Sequence, residues 1–188
     1  PPVAAHGAVD SPLVLTIGSV SKPFWGGLRV GWIRTSAPMV RRLSAFRATT
    51  DLGSPVFEQL LTARLMTRVE ETAAARRVEL RAACARATER IAQLFPTWRV
   101  GRPRGGMCHW VDLGSPDSSR LVIAARRRDV LLAAGPRFGV DGAFERYLRV
   151  PFVLRPDRMD EALQRMAAAW AELDRVEPAT EPGECSVA

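Results

Sequence analysis

Lysine is nearly absent from this chain. Of its 27 lysines and arginines, Lys22 alone is a lysine. A chain that writes almost every cation as arginine has the bias expected of a GC-rich genome, where lysine codons are scarce. The one lysine it keeps lies between Ser21 and Pro23, not on a solvated helix face. An amine can form a Schiff base with a carbonyl and a guanidinium cannot. Lys22 is therefore the first candidate for chemistry. Cysteine and histidine are scarce too. Cys84, Cys108 and Cys185 are far apart, odd in number and not paired with histidine at ligand spacing. That argues against a zinc site or a disulfide framework, and fits a reduced cytoplasmic protein. His6 and His109 form no recognisable triad, and His109 beside Trp110 reads as a packed or surface residue. No apolar run approaches the roughly 18 residues of a membrane span. The opening PPVAAHGAVD has neither a basic region nor a long apolar stretch, so no signal peptide is expected.

What is present is enough for a packed core. The 188 residues allow one domain or two small ones, and 47% of them are hydrophobic. A net charge of +7 and a pI near 10.7 invite a nucleic-acid reading. The arginines, however, are mixed with Glu and Asp rather than held in one block. Arg41-Arg42, Arg76-Arg77 and Arg126-Arg127-Arg128 read most simply as solvated faces.

The surroundings of Lys22 are more specific. Leu13 to Ile17 is a short apolar run with β-branched members and reads as a buried strand. Gly18-Ser19-Val20-Ser21 breaks the run and supplies two hydroxyls. Gly26-Gly27 is a second turn signal, and Leu28 to Ile33 is a second strand-like run. Lys22 thus falls at a strand end, where α/β sheets place ligands. Ser19, Ser21 and Arg29 are candidates to converge on a phosphate, two as neutral donors and one as a bidentate fork. The competing reading is a hairpin with one incidental lysine.

The stretch G-S-V-S-K-x-x-x-G-G-L-R-V-G-W resembles the lysine signature of fold-type I, pyridoxal-phosphate-dependent aminotransferases. The resemblance implies that Lys22 carries pyridoxal 5'-phosphate, and that Ser19 and Arg29 bind its phosphate. Ser21 matches the S-x-S-K form of the motif. The version F-W-G-G-L-R-V-G-W-I-R, followed by DLGSPVFEQL, most resembles the GntR-type regulators of the MocR class, in which an aminotransferase-like domain is fused to a winged-helix DNA-binding domain.

Further along, Ser36 with Pro38 predicts a helix over about 37–50, and Ser54 with Pro55 a second. Val56, Leu60, Leu61, Leu65 and Met66 are expected to line its buried face. No Gly or Pro occurs from about Thr67 to Phe95, which predicts a long helix. Cys84 on it reads as a small core residue. Strands are expected at Trp98 to Val100, Cys108 to Leu113, Val130 to Ala134 and Tyr147 to Leu154. A helix should start at Ser115-Pro116. The last should open at Pro156, with Met159, Leu163 and Met166 at helical spacing as core contacts. In YLRVPFVL, alternation places Leu148 and Val150 on one face and Arg149 with Tyr147 on the other. An arginine in an apolar strand requires an anion if it is buried. The segment resembles the aminotransferase Y-x-R-x-x-F pattern, which implies that Arg149 grips a substrate α-carboxylate. The alternative is a structural salt bridge.

The expected fold class is α/β, the C-terminal part of the aminotransferase class I/II fold. Residues 1–60 would be a remnant of the large cofactor-binding domain and 61–96 a long bridging helix. Residues 97–176 would form a small domain and 177–188 a disordered tail. The resemblance implies that the ring-binding part of the large domain precedes this chain in a longer protein. It also implies DNA contact only through a winged-helix domain further upstream, an amino-acid effector or substrate, a homodimer in full-length form, and no membrane. The leading expectation is the effector domain of a transcriptional regulator. The alternatives are an aminotransferase passing an amino group between an amino acid and a 2-oxo acid, and a truncated inactive fragment.

Overall fold

The computed structural model describes residues 14–51 and 53–173. The tail expected to be disordered and Cys185 lie outside them. The chain divides into two units, residues 1–77 and 78–188.

In the first unit, β1 (Thr16–Ser19) and β2 (Gly31–Arg34) form a two-stranded antiparallel ribbon. Thr16 faces Arg34 and Ser19 faces Gly31. Thr35 Oγ1 donates to Val14 O at 3.0 Å and pins the open end of the ribbon. Helix α1 (Ala37–Ala48) follows, with Ser36 at its N-cap and proline in its first turn. The Ser36 hydroxyl makes no cap bond; it is buried without a partner. Helix α2 (Val56–Met66) has Pro55, not Ser54, at its N-cap. Ser54 Oγ is occupied elsewhere, accepting from Arg47 at 2.8 Å.

The buried face expected of α2 is absent. Leu60 is 67% exposed, Val56, Leu61 and Met66 are also exposed, and α1 buries no residue at all. An apolar stripe is buried only when another layer faces it. Among its described residues the first unit's sheet is a two-stranded ribbon, and the stripes stay open. Leu15 and Ile17, expected in a buried strand, are exposed for the same reason.

A single helix over 61–96 is interrupted. Helix α2 ends at Met66 and α3 runs from Val69 to Leu94. The break is a hydrogen-bonded turn: Thr67 Oγ1 donates to Arg64 O at 2.8 Å and Arg68 N to Leu65 O at 3.0 Å. Arg68 then pairs with Glu71 at 2.7 Å.

The second unit is an antiparallel sheet of order β3-β4-β6-β5 with helices on one face. Its strands are β3 (Arg99–Val100), β4 (Cys108–Asp112), β5 (Ala133–Ala134) and β6 (Tyr147–Pro151). Helix α4 (Ser118–Arg126) and helix α5 (Pro156–Leu173) pack together on that face with the end of α3. Period-2 alternation carries the design: Val111, Leu148 and Val150 point into the core, and Trp110 and Arg149 point away. Ile91 and Phe95 from the end of α3, Leu121 from α4, and Leu163 and Met166 from α5 close over them. Phe95 stacks on Trp98 at 3.8 Å, and Trp98 meets the edge of Trp170 at 5.2 Å.

His109 lies in this core, 1% exposed, 4.9 Å from the Phe152 ring. Its Nε2 is 3.4 Å from Thr88 Oγ1 and 4.0 Å from Cys84 Sγ, and its Nδ1 has no partner. Burial pushes the imidazole pKa below its ordinary value. The sign follows by linkage. Above the ordinary imidazole value of about 6.5 both states are neutral there and the residue contributes no slope. Below it the unfolded chain takes up a proton that folded His109 refuses, so stability falls with pH until the depressed folded value is passed. The expected result is that His109→Leu narrows the gap in urea midpoint between about pH 7.5 and about pH 5.5, on either side of that ordinary value. An unchanged gap would count against a buried neutral imidazole.

Candidate functional site

Lys22 lies on the connection between β1 and β2. The connection is closed by Val20 N donating to Val30 O at 3.3 Å, Phe24 N to Val20 O at 3.1 Å and Leu28 N to Trp25 O at 3.2 Å. Val20 and Leu28 anchor it from below, both buried. Lys22 is exposed on the turn between Val20 and Phe24. Ser19 Oγ donates to Ser21 Oγ at 3.0 Å and accepts from Ser21 N at 3.2 Å. The two hydroxyls therefore form one cluster beside the lysine.

Two glycines here lie against tryptophan rings. A Cβ on Gly18 would stand 2.1 Å from the indole of Trp32, its cross-strand partner. A Cβ on Gly27 would stand 2.2 Å from the Trp25 ring. Arg29 takes a left-handed conformation, φ 52° and ψ 25°, at the end of the short 3₁₀ turn Gly26–Leu28. For a side chain with a Cβ this costs about 1 kcal/mol or more, and such strain concentrates at functional positions. Arg29 is exposed. A mainly apolar cleft of about 510 Å³ opens beside the same loop, lined by Phe24, Trp25, Leu28, Leu61, Leu65 and Arg68 among others.

Arg149 belongs to the second unit. On β6 it stands between Trp110 of β4 and Ala133 of β5. It is exposed, and its Cζ lies 5.6 Å from the centre of the Phe138 ring. The structural salt bridge weighed for it is not found: no carboxylate pairs with Arg149 among the described residues. Two acids at the Asp112–Tyr147 end of the β4–β6 pair have other partners. Asp112 takes Arg146 in a two-pronged pair at 2.5 and 3.0 Å, and this hydrogen-bonded guanidinium holds its carboxyl below the usual range. Glu145 accepts from Ser119 N at 2.6 Å and from Ser119 Oγ at 2.9 Å.

Sequence reasoning missed the aromatic setting of Arg149. Trp110 stacks with Tyr147 at 5.5 Å and presents its edge to Phe138 at 5.5 Å and Phe144 at 5.8 Å. The signal was half available, because alternation along β4 puts Trp110 opposite His109. Phe138 and Phe144 arrive from a loop that no local period describes. No group of His, Cys, Asp and Glu arranged for a metal occurs among the described residues. No helix among them is long and apolar enough to cross a membrane.

The family Aminotransferase class I and II matches residues 2–166. The chain is 32% identical over 129 residues to the HTH-type transcriptional regulator YdfD of Bacillus subtilis, covering 65% of this chain and 26% of that protein. It is 31% identical over 145 residues to the HTH-type transcriptional regulator YisV of the same organism, covering 74% and 29%. The chain thus spans less than a third of either regulator. Among solved structures it is similar to LysN, the α-aminoadipate aminotransferase of Thermus thermophilus, complexed with N-(5'-phosphopyridoxyl)-L-leucine. That match has a TM-score of 0.73 at 26% identity and covers 86% of this chain and 43% of the other.

Proposed function

The chain belongs to the Aminotransferase class I and II family, and from that premise we propose that it is part of the pyridoxal-phosphate-binding effector domain of a GntR/MocR-type transcriptional regulator. The observation that carries the regulator reading is the likeness to two helix-turn-helix regulators at over 30% identity. The cofactor reading rests on the donor set of the β1–β2 connection. It holds one primary amine, two clustered hydroxyls and one guanidinium, with the amine and the guanidinium exposed. Those groups fit an aldehyde that also carries a phosphate. Lys22 would hold the cofactor through Nζ. Ser19 and Ser21 would donate hydrogen bonds to its phosphate, and Arg29 would add a charge-assisted fork. When bound, pyridoxal phosphate supplies an electron sink for bonds at the α-carbon of an amino acid.

Arg149 would take the amino acid's carboxylate, since its guanidinium has no internal anion among the described residues. In a regulator, the amino acid acts by binding two conformations unequally, and it shifts DNA affinity by no more than that difference. DNA would be held by a winged-helix domain outside this chain, in a cytoplasmic homodimer. The domain division that goes with this reading puts the cofactor loop in the remnant of a large domain and Arg149 in the small one.

A second reading, transaminase, is favoured by the likeness to LysN. There Lys22 Nζ would also accept and return the α-proton as a general base.

The phosphate assignment is tested by comparing pyridoxal phosphate with pyridoxal in a fluorescence titration. Ser19→Ala and Arg29→Gln are each expected to weaken pyridoxal phosphate about tenfold and to leave pyridoxal unchanged. Equal losses for both ligands would remove the phosphate role. In the full-length protein, an amino acid that changes operator affinity supports the regulator. Turnover of an amino acid with a 2-oxo acid, with no affinity for DNA, would put the transaminase in its place.

A further inference from the structure

The open face of the second unit's sheet carries more than a carboxylate anchor. Arg149 is directly opposite Trp110 on one side and Ala133 on the other. Direct cross-strand partners share a face, with Cβ atoms about 5 Å apart. Arg149 thus has a tryptophan as its neighbour on one strand and an alanine on the other. The Phe138 ring lies 5.6 Å from it. A guanidinium stacked on a ring keeps its in-plane N–H groups free for a carboxylate.

The aromatic groups here are not spent on the core. Trp110 is 37% exposed, Phe138 45% and Phe144 47%, although Trp110 meets both phenyl rings at 5.5 and 5.8 Å. The core lies on the opposite face, where Val111, Leu148 and Val150 are buried. Contiguous exposed aromatic surface around a charged group with no anion is the usual composition of a ligand site: apolar walls and a few polar groups that fix orientation.

We propose that this face selects an α-amino acid with an aromatic side chain, Arg149 taking the carboxylate and the wall of Trp110 and Phe138 taking the ring. The proposal rests on the reading that this chain's site takes an amino acid, and adds which class. Edge and offset ring contacts add about twofold to tenfold in affinity beyond burial. The bare alkyl side chain of alanine has no such contact to make.

The test uses 3-phenylpropionate, which has the carboxylate and the ring but no amine. Its binding does not depend on any bond at Lys22, so the loss of cofactor capture at Lys22 leaves this measurement intact. The purified chain is titrated calorimetrically with 3-phenylpropionate, propionate, L-phenylalanine and L-alanine. The phenyl ligands are expected to bind at least about fivefold more tightly than their alkyl counterparts. Arg149→Gln should weaken all four about tenfold or more. Trp110→Leu should erase most of the phenyl preference. Should that variant fail to fold, Phe138→Ala, at an exposed ring, carries the same expectation. Equal affinity for phenyl and alkyl acids overturns the proposal. So does full binding by Arg149→Gln, or the absence of binding by any of the four.

Discussion

Mixing the chain with pyridoxal phosphate and then borohydride is expected to fix the phosphopyridoxyl group on Lys22, and Lys22→Ala is expected to abolish that capture entirely. With one lysine in 188 residues, the competing amine is the chain's own α-amino group, which peptide mapping separates from residue 22 at once. The physical case is local. Lys22 is exposed on a turn fixed by three backbone hydrogen bonds and two buried anchors, Val20 and Leu28. The side chain is removed without touching those anchors, so Lys22→Ala should keep the circular dichroism of the parent. Lys22→Arg is the sharper control. It preserves the charge and loses the nucleophilic amine, so it too should trap nothing. Label on the amino terminus alone, in parent and variant alike, would sink the assignment of Lys22.

The second large effect is on stability, at Gly135. A Cβ there would stand 1.8 Å from the carbonyl oxygen of Phe144 and 2.8 Å from that of Tyr147. Both neighbours are backbone, so no rotamer change relieves the overlap. The segment they belong to is already constrained. Phe144 has φ 67°, its oxygen accepts from Tyr147 N at 2.8 Å, and Gly135 N donates to Ser118 Oγ at 3.3 Å. Gly135→Ala is therefore expected to cost about 3 kcal/mol or more, at the upper end of overpacking effects. It should lower the urea midpoint and disturb the near-ultraviolet signal of Trp110 and Tyr147. Gly105→Ala is the control. Nothing lies within 4 Å of its added methyl and its φ is not positive, so it should stay within about 0.5 kcal/mol of the parent. Equal midpoints for the two variants would mean that the loop yields freely.

The parts of the fold that were legible in the sequence are those set by short-range periods. Alternation placed Leu148 and Val150 on one face and Arg149 on the other, and β6 obeys it, with the first two buried and Arg149 exposed. Helical spacing placed Met159, Leu163 and Met166 in the core, where α5 puts them. The strand-turn-strand around Lys22 was legible because Gly26-Gly27 and the two apolar runs are local signals. What was illegible depends on distant partners. Val130 to Ala134 reads as a five-residue strand, but only Ala133 and Ala134 pair with β6, and Leu131 is 82% exposed. Apolar composition alone does not say which residues find a neighbour to bond. The left-handed Arg29 has no signature in residue type, since glycine is the residue that usually announces that conformation. The exposed stripe of α2 departs from the buried face expected of it because a helix period reports a face, not what covers it. At the candidate site, the lysine loop was readable as a contiguous motif. The aromatic surround of Arg149 is drawn from β4, β6 and the 138–144 loop, and exists only after folding.

The two units differ sharply in how much they bury. Among the described residues of the first, Val20 and Leu28 are the buried apolar side chains, whereas the second has a continuous core from Ala87 to Ala169. Amide hydrogens should then exchange in two regimes. Those of β4 and β6 open only with the cooperative loss of the whole second core, on the slowest timescale the molecule has. Those of β1 and β2 open by local fluctuation, because so little apolar area resists it. The loop that presents Lys22 is thus a low-protection segment, and any ligand it captures would spend part of its affinity on slowing that exchange.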